Sequence, residues 1–392
     1  MNVPKLRFKA DDGSEFPEWE EKRLGDICKP LMYGMGAAAI PYDGQNKYIR
    51  ITDIDDESHK YKSNDIVSPA GMLEEKYLVC KGDILLARTG ASTGKSYLYD
   101  EKDGKMYFAG FLIKAHVNEE CDAKFIYAQT LTTKYMNWVK LTSMRSGQPG
   151  INANEYSSYA VSIACIPEQR KIASFLSMID EIIQSTESEL TAWQERKKGV
   201  MQKIFNREVR FKADDGSEFP EWEEKRLGDL FKISAGGDID KENCSKSFSL
   251  KYPYPVYANA LVNRGLYGYA NYYKVQGDTF TVTGRGDVGC AVARHGKYVP
   301  IVRLLVCEPK ENDNVDFFAE HVNGATIFVE STGVPQLTAP QLGKVKVKRP
   351  SLPEQKKIAD CLSSLDDVIS NIQAELSAWK EFKKGLLQQM FV

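Results

Sequence analysis

The sequence predicts an α+β protein built as a tandem repeat, in which two mixed α/β bodies alternate with two long helices that pair as a coiled coil. Twenty letters, RFKADDGSEFPEWEEKRLGD, occur unchanged at residues 7–26 and 210–229. A second pair of segments, 166–205 and 352–391, aligns without gaps and agrees at 20 of 40 positions. Apolar residues recur every 3.5 residues on average in both of these segments, which is typical of a coiled-coil seam.

The repeat divides a chain of 392 residues, which is long for a single hydrophobic core. Each half consists of a leading segment, a variable body and a long helix. The bodies combine β-branched and aromatic runs with glycine-rich turns, which predicts short strands. The predicted segments are two leading segments (1–26 and 209–229), two bodies (27–165 and 230–351) and two long helices (166–208 and 352–392).

The two long segments carry three helix signals. Pro167 and Pro353 suit a first helical turn, the interiors contain no proline, and the apolar period persists over about five heptads. A helix of about 38 residues would be about 57 Å long, which suits a spacer. The alternative is that each helix packs only on its own body. The predicted seam comprises Ile172, Leu176, Ile179, Ile183, Leu190, Trp193, Ile358, Leu362, Leu365, Ile369, Ile372, Leu376 and Trp379.

The seam is interrupted at the same phase in both helices by Lys197 and Lys383, which are followed by Gly199 and Gly385. A glycine in a helix interior costs about 1 kcal/mol relative to alanine. We therefore expect each helix to bend or end near its glycine. Trp19 and Trp222, in identical PEWEE contexts, are predicted to anchor the leading segments against the helices.

Composition excludes several classes of protein. The chain has 42% hydrophobic and 27% charged residues and a net charge of −2, which is typical of a globular protein. It contains no apolar run of the roughly 20 residues that a membrane span needs, and its start lacks a signal-peptide core, so the cytoplasm is expected. Eight cysteines without a C-x-x-C pair and four scattered histidines predict no metal site.

One stretch of the first body is similar to a phosphate-binding loop. Gly90, Gly94, Lys95 and Ser96 form G-x-x-x-G-K-S, one residue shorter than the P-loop pattern. The second body repeats the Thr-Gly of this stretch at Thr283 and Gly284 without a following lysine. A turn between two strands explains both copies better, and no catalytic residues are predicted in this chain.

Four motifs, in an order that is repeated along the chain, resemble the DNA-specificity subunit of type I restriction-modification systems. They are WEEKRLGD (Trp19–Asp26 and Trp222–Asp229), GDILLARTGASTGK (82–95), PEQRKIA with PEQKKIA (167–173 and 353–359), and SGQPGINANEY (Ser146–Tyr156). The resemblance covers nearly the whole chain.

The resemblance implies that the bodies 27–165 and 230–351 are target-recognition domains, mounted with pseudo-twofold symmetry on an antiparallel helix pair. Each domain would read one half of a bipartite double-stranded DNA target, and the helices would set the gap. It also implies partners: two modification subunits that methylate adenine N6 with S-adenosylmethionine, and two motor-nuclease subunits that use ATP and Mg²⁺. This chain itself would hold no cofactor.

Arg, Asn and Gln can pair with guanine or adenine edges in the major groove, and such readers are expected on loops of a rigid body. For every candidate the alternative is a solvated or turn-stabilising residue. The candidates are Arg88, Ser92, Lys95, Arg145 and Gln148 in the first body, and Asn263, Arg264, Arg285, Arg294 and Gln336 in the second.

Two other functions fit parts of the sequence. A coiled-coil structural adaptor would use the helices and never bind DNA. A stand-alone nuclease or methyltransferase would turn over without added subunits, but both bodies have the size of recognition domains, which leaves no segment for catalysis.

Overall fold

The computed structural model describes residues 4–144, 148–325 and 336–391. The chain forms two compact units, Met1–Glu187 with Glu375–Val392 and Ser188–Ala374. Each unit holds one body and a part of both long helices. Within the described ranges, no helix combines the length and apolar character that crossing a membrane requires.

The first body is built on a four-stranded antiparallel sheet in the order Met32–Tyr33, Leu112–His116, Asp83–Ala87, Ser96–Leu98. The same body contains two further strand pairs. One is parallel, Lys47–Ile49 with Met106–Phe108, and the other is antiparallel, Ala39–Pro41 with Val67–Pro69. The helices of this body are Leu24–Ile27, Ala123–Gln129, Thr133–Thr142 and Ala153–Ser157.

The second body also contains a four-stranded antiparallel sheet, in the order Phe231–Ala235, Leu305–Pro309, Thr279–Val282, Ala291–Arg294. It adds a five-stranded sheet in the order Cys244–Ser245, Leu266–Ala270, Tyr254–Tyr257, Lys297–Pro300, Val275–Gln276. Its helices are Leu227–Leu230, Val315–Gly324 and Ala339–Gly343.

The two bodies share one framework although their sequences differ. In each half, a strand near the end of the leading segment pairs antiparallel with the strand that precedes the long helix: Glu20–Arg23 with Ala160–Ile163, and Glu223–Arg226 with Lys346–Arg349. Each body has a core of buried apolar side chains, such as Phe108 and Leu112 in the first body and Phe280 and Phe317 in the second. The predicted α+β repeat is therefore confirmed.

The long helices, Ile166–Phe205 and Leu352–Met390, pair antiparallel. In the first unit Lys383 binds Asp180 at 2.5 Å and Lys380 binds Glu187 at 2.8 Å. In the second unit Lys197 binds Asp366 at 2.7 Å, which is the symmetric counterpart of the Lys383–Asp180 pair. The lysines that interrupt the seam thus bind the facing helix and fix its register.

The predicted seam phase coincides with the less exposed face of both helices. Ile172, Leu176, Ile179 and Ile183 of the first helix are buried, as are Ile358, Leu362, Ile372 and Leu376 of the second. The remaining predicted positions are half-buried: Leu190, Trp193, Leu365, Ile369 and Trp379.

Each leading segment is held by a glutamate in the first turn of the long helix of its own half. Glu168 is fully buried and accepts hydrogen bonds from Arg7 Nη2 at 2.7 Å and Trp19 Nε1 at 2.9 Å. Glu354, also fully buried, accepts from Arg210 Nη2 at 2.9 Å and Trp222 Nε1 at 3.0 Å. The carboxylate raises the pKa of the arginine in both halves.

Each body is closed by the end of the helix that belongs to the other half. In the first unit the Phe391 ring lies 5.3 Å from Phe125 and 6.0 Å from Trp19. In the second unit the Phe205 ring lies 5.9 Å from Phe317 and stacks on His321 at 4.7 Å. The helix ends are therefore exchanged between the halves.

The expectation that each helix could end near its glycine is wrong, because both helices continue as single elements through Gly199 and Gly385. A Cβ at either position would meet no heavy atom within 4 Å. The cost of one glycine is small against the packing of a helix of about ten turns, so the helix persists.

Gly199→Ala should therefore stabilise the protein by about 0.5–1 kcal/mol, measured by urea unfolding. Gly34→Ala provides the contrast. Its Cβ would lie 2.3 Å from Ala109 O, so this substitution should strongly destabilise the protein. A loss of stability in Gly199→Ala would contradict this expectation.

Arg7→Met would leave the buried Glu168 without its cation and should cost about 3 kcal/mol of unfolding free energy. Combining it with Glu168→Gln should recover part of that loss, since the uncompensated charge is removed. Lys9→Met, in the exposed Lys9–Glu15 pair, should have no measurable effect. Equal denaturation midpoints for Arg7→Met and Lys9→Met would contradict this reading.

Candidate nucleic-acid interface

The stretch similar to a P-loop is a hairpin turn. It joins the antiparallel strands Asp83–Ala87 and Ser96–Leu98. Gly90 and Gly94 adopt φ of +76° and +90°, and a Cβ at Gly94 would lie 2.6 Å from Val139. The glycines therefore serve the turn and its packing, and the interpretation as a turn is confirmed.

The turn packs against the segment 148–151. Gly90 N donates to Pro149 O at 3.0 Å, and Ile151 N donates to Arg88 O at 2.9 Å. Arg88 and Ser92 are half-buried and Gln148 is exposed, so three predicted readers gather at one edge of the body. Arg145 lies outside the described residues.

Arg88 is pre-positioned by an aromatic ring. Its guanidinium lies 4.7 Å from the ring centre of Tyr33, and its Nη1 donates to Gly110 O at 3.3 Å. The Tyr33 hydroxyl accepts a hydrogen bond from Ala153 N at 3.1 Å. Most of the N–H donors of the Arg88 guanidinium therefore make no hydrogen bond to the described residues. A bidentate contact to guanine requires such free donors.

Lys95 differs from the other candidates because it is 9% exposed. Its Nζ donates to Ile54 O at 3.0 Å and forms an ion pair with Asp56. This environment favours a role in holding the turn over base contact.

The second body repeats the arrangement with different residues. Its turn joins the strands Thr279–Val282 and Ala291–Arg294, and Leu337 N donates to Gly284 O at 2.9 Å. The exposed Arg285 donates through Nη2 to Gln336 Oε1 at 3.4 Å. An arginine and a glutamine therefore lie at corresponding edges of both bodies.

Asn263 and Arg264 lie on an exposed loop with an unusual backbone. Both have φ of +51°, a left-handed conformation that costs non-glycine residues about 1–3 kcal/mol and is found at functional sites. The loop closes on itself through Ala258 N, which donates to Gly265 O at 2.9 Å.

Arg294 lies beneath this loop and is 6% exposed. Its Nη2 donates to Arg264 O at 2.5 Å and its Nε donates to Thr281 Oγ1 at 3.1 Å. The guanidinium lies 3.7 Å from the Tyr257 ring centre, and burial lowers its pKa. Arg294 is thus suited to position Arg264, and its own contact with a base is disfavoured by burial.

Sequence reasoning missed Asn259, which joins the loop to the turn. Its Oδ1 accepts from Gly284 N at 2.8 Å, and its Nδ2 donates to Val302 O. An asparagine in a loop carries no signal of such a contact. The contacts of Glu168 and Glu354 with the leading segments could have been found, because the same arginine, tryptophan and glutamate recur in both halves.

Two related bodies with polar edges of different composition, carried by paired helices, define a modular recognition protein. The model of the type I restriction modification DNA specificity domain matches residues 17–192 and 220–378. The chain belongs to this family. It is therefore a specificity subunit, the component of such a system that is not catalytic.

Relatives and solved structures extend over most of the chain. A putative type I specificity subunit of Mycoplasma pneumoniae is 26% identical over 69% of this chain and 72% of its own length. The putative MjaX specificity subunit of Methanocaldococcus jannaschii is 25% identical over 97% and 94%. The crystal structure of the S subunit from M. genitalium has the same fold, with a TM-score of 0.65 at 17% identity over 100% of this chain and 99% of that one.

Arg294→Leu should loosen the loop above it without unfolding the body. A hydrogen bond from a charged donor contributes about 1.5–3 kcal/mol, so the amide of Ala258 should exchange at least about tenfold faster. The amide of Leu337, bound to Gly284 O, is the internal control. Unchanged exchange at Ala258 would contradict the positioning role.

Proposed function

We propose that this specificity subunit directs a type I restriction-modification complex to a bipartite DNA target. The first body reads one half through Arg88, Ser92 and Gln148. The second reads the other half through Asn263, Arg264, Arg285 and Gln336. The observation that carries the proposal is that in both bodies a turn bearing an arginine packs against a segment bearing a glutamine.

The chemistry of these edges suits major-groove recognition. Arginine donates two parallel hydrogen bonds to guanine O6 and N7, and glutamine pairs with adenine N6 and N7. The rest of each turn is held by backbone hydrogen bonds, so the readers are fixed to a rigid element. Because the two edges differ in sequence, the two half-sites differ as well.

The long helices set the gap between the half-sites in this proposal. Centres of half-sites one helical turn apart are separated by about 34–36 Å. The first helix, with 40 residues, is about 60 Å long at 1.5 Å per residue. The seam lysines and their aspartate partners keep the helices from sliding and would therefore keep the gap constant.

The partners in this proposal are those that membership of the family implies. Two modification subunits would bind S-adenosylmethionine and methylate adenine N6, and two motor-nuclease subunits would use ATP and Mg²⁺. The outward faces of the helix pair would dock the modification subunits.

Arg88→Ala and Gln148→Ala should relax base preference in one half of the target only, and Arg285→Ala and Gln336→Ala in the other half only. Each lost bidentate contact should reduce discrimination by about 1–3 kcal/mol. The measurement is adenine methylation by the assembled complex on a DNA library in which each half-site is randomised in turn.

Lys102→Ala, which removes one exposed cation from the first body, is the matched control and should leave both preferences intact. If one variant relaxed the base preference in both half-sites, the proposal that each body reads one half-site would be contradicted. Methylation with no sequence preference, or footprinting without two protected patches, would instead favour a structural adaptor.

A further inference from the structure

Two side chains of the first body meet where sequence spacing gave no hint of it. Asp83 begins the strand Asp83–Ala87, and His116 ends the strand Leu112–His116; the two are direct cross-strand partners. His116 Nδ1 lies 2.7 Å from Asp83 Oδ1. The Asp83 side chain is fully buried and the His116 side chain is 25% exposed.

A tight turn brings a thiol to the same place. Asp83 N donates to Cys80 O at 3.0 Å, and Cys80 N donates to Asp83 Oδ2 at 2.8 Å. Gly82, with φ of +90°, allows the chain to reverse here. Cys80 Sγ consequently lies 3.4 Å from Asp83 Oδ2 and 4.0 Å from His116 Nδ1.

These separations are close to those of a zinc coordination shell. Bonds of about 2.0–2.3 Å at tetrahedral angles place neighbouring ligand atoms about 3.3–3.6 Å apart. Shifts of a few tenths of an ångström, with opening of the short His116–Asp83 contact, would bring sulfur, nitrogen and oxygen into that geometry. Thiolate, imidazole and carboxylate together suit zinc and disfavour magnesium or calcium.

We propose that Cys80, Asp83 and His116 bind one Zn²⁺ ion, with water in the fourth position. Cys80 is exposed, and a cavity of about 350 Å³ lined by Cys80, Tyr99, Glu101 and Lys105 opens beside it. This space gives the ion a path of access and room for the water. On binding, the Cys80 thiol releases its proton to solvent and its sulfur bonds to the metal.

The rival interpretation is that the three residues only form hydrogen bonds at the end of the strands, and that Lys114 neutralises the charge of the Asp83 carboxylate. Lys114 Nζ lies 3.8 Å from Asp83 Oδ2, but it donates to Lys76 O at 2.9 Å and to Leu78 O at 3.0 Å. The ammonium is thus held by carbonyl groups and leaves the carboxylate oxygens to the Cys80 amide and His116. In this rival interpretation the Cys80 thiol only donates a hydrogen bond to Asp83 Oδ2 at 3.4 Å, whereas metal binding would use its sulfur as a ligand.

The test uses the full chain, stripped with a chelator and kept reduced with a phosphine. Titration with Co²⁺ should give one ion per chain and a thiolate-to-cobalt absorption band, and added Zn²⁺ should abolish that band. Cys80→Ser should remove the band and weaken Zn²⁺ binding at least about tenfold. Cys121→Ser, which changes another partly exposed thiol, should behave like the parent.

His116→Gln tests the same site without touching the thiol and should also weaken Zn²⁺ binding. Circular dichroism of the metal-free variants should match the parent, and Zn²⁺ should raise the melting temperature of the parent and of Cys121→Ser alone. The proposal is overturned if binding is not one-to-one, or if Cys80→Ser and His116→Gln bind Zn²⁺ as the parent does. None of these readouts depends on DNA recognition.

Discussion

The architecture depends on a carboxylate that is removed from water in the first turn of each long helix. A fully buried Glu168 or Glu354 is tolerable only with a cation and further donors in place, and the leading segment supplies both through its arginine and tryptophan. The repeated segment therefore has a physical reason. Each half needs the same partner for the same buried charge, whatever its body recognises.

The exchange of helix ends adds a second constraint. Phe391 completes the aromatic cluster around Trp19 and Phe125, and Phe205 packs on Phe317. Each body is therefore finished by a residue from the other half of the chain. The ion pairs Lys383–Asp180 and Lys197–Asp366 hold the antiparallel register that brings those rings into place.

The helices and their seam could be predicted because an apolar period of 3.5 residues is a local property of the sequence. The burial of Lys95 and Arg294 could not be predicted. A cation exposed on a turn and a cation hydrogen-bonded to a carbonyl oxygen can have the same local sequence. Cys80 and His116 lie 36 residues apart and meet only through strand pairing, so their proximity could not be predicted from sequence spacing. Gly199 was a poor guide to the end of the helix, because the free-energy cost of one glycine is small compared with the packing of the whole helix.

The placement of the candidate readers bears on how specificity could vary while the fold stays constant. The turns that carry Arg88 and Arg285 are held by backbone groups, through Ile151 N to Arg88 O and Leu337 N to Gly284 O. A side chain on such a turn can be replaced without removing a bond that maintains the turn. The left-handed loop at Asn263 and Arg264 differs, because the buried side chain of Arg294 donates a hydrogen bond to Arg264 O. Changes of specificity should therefore be tolerated more readily on the turns than on that loop.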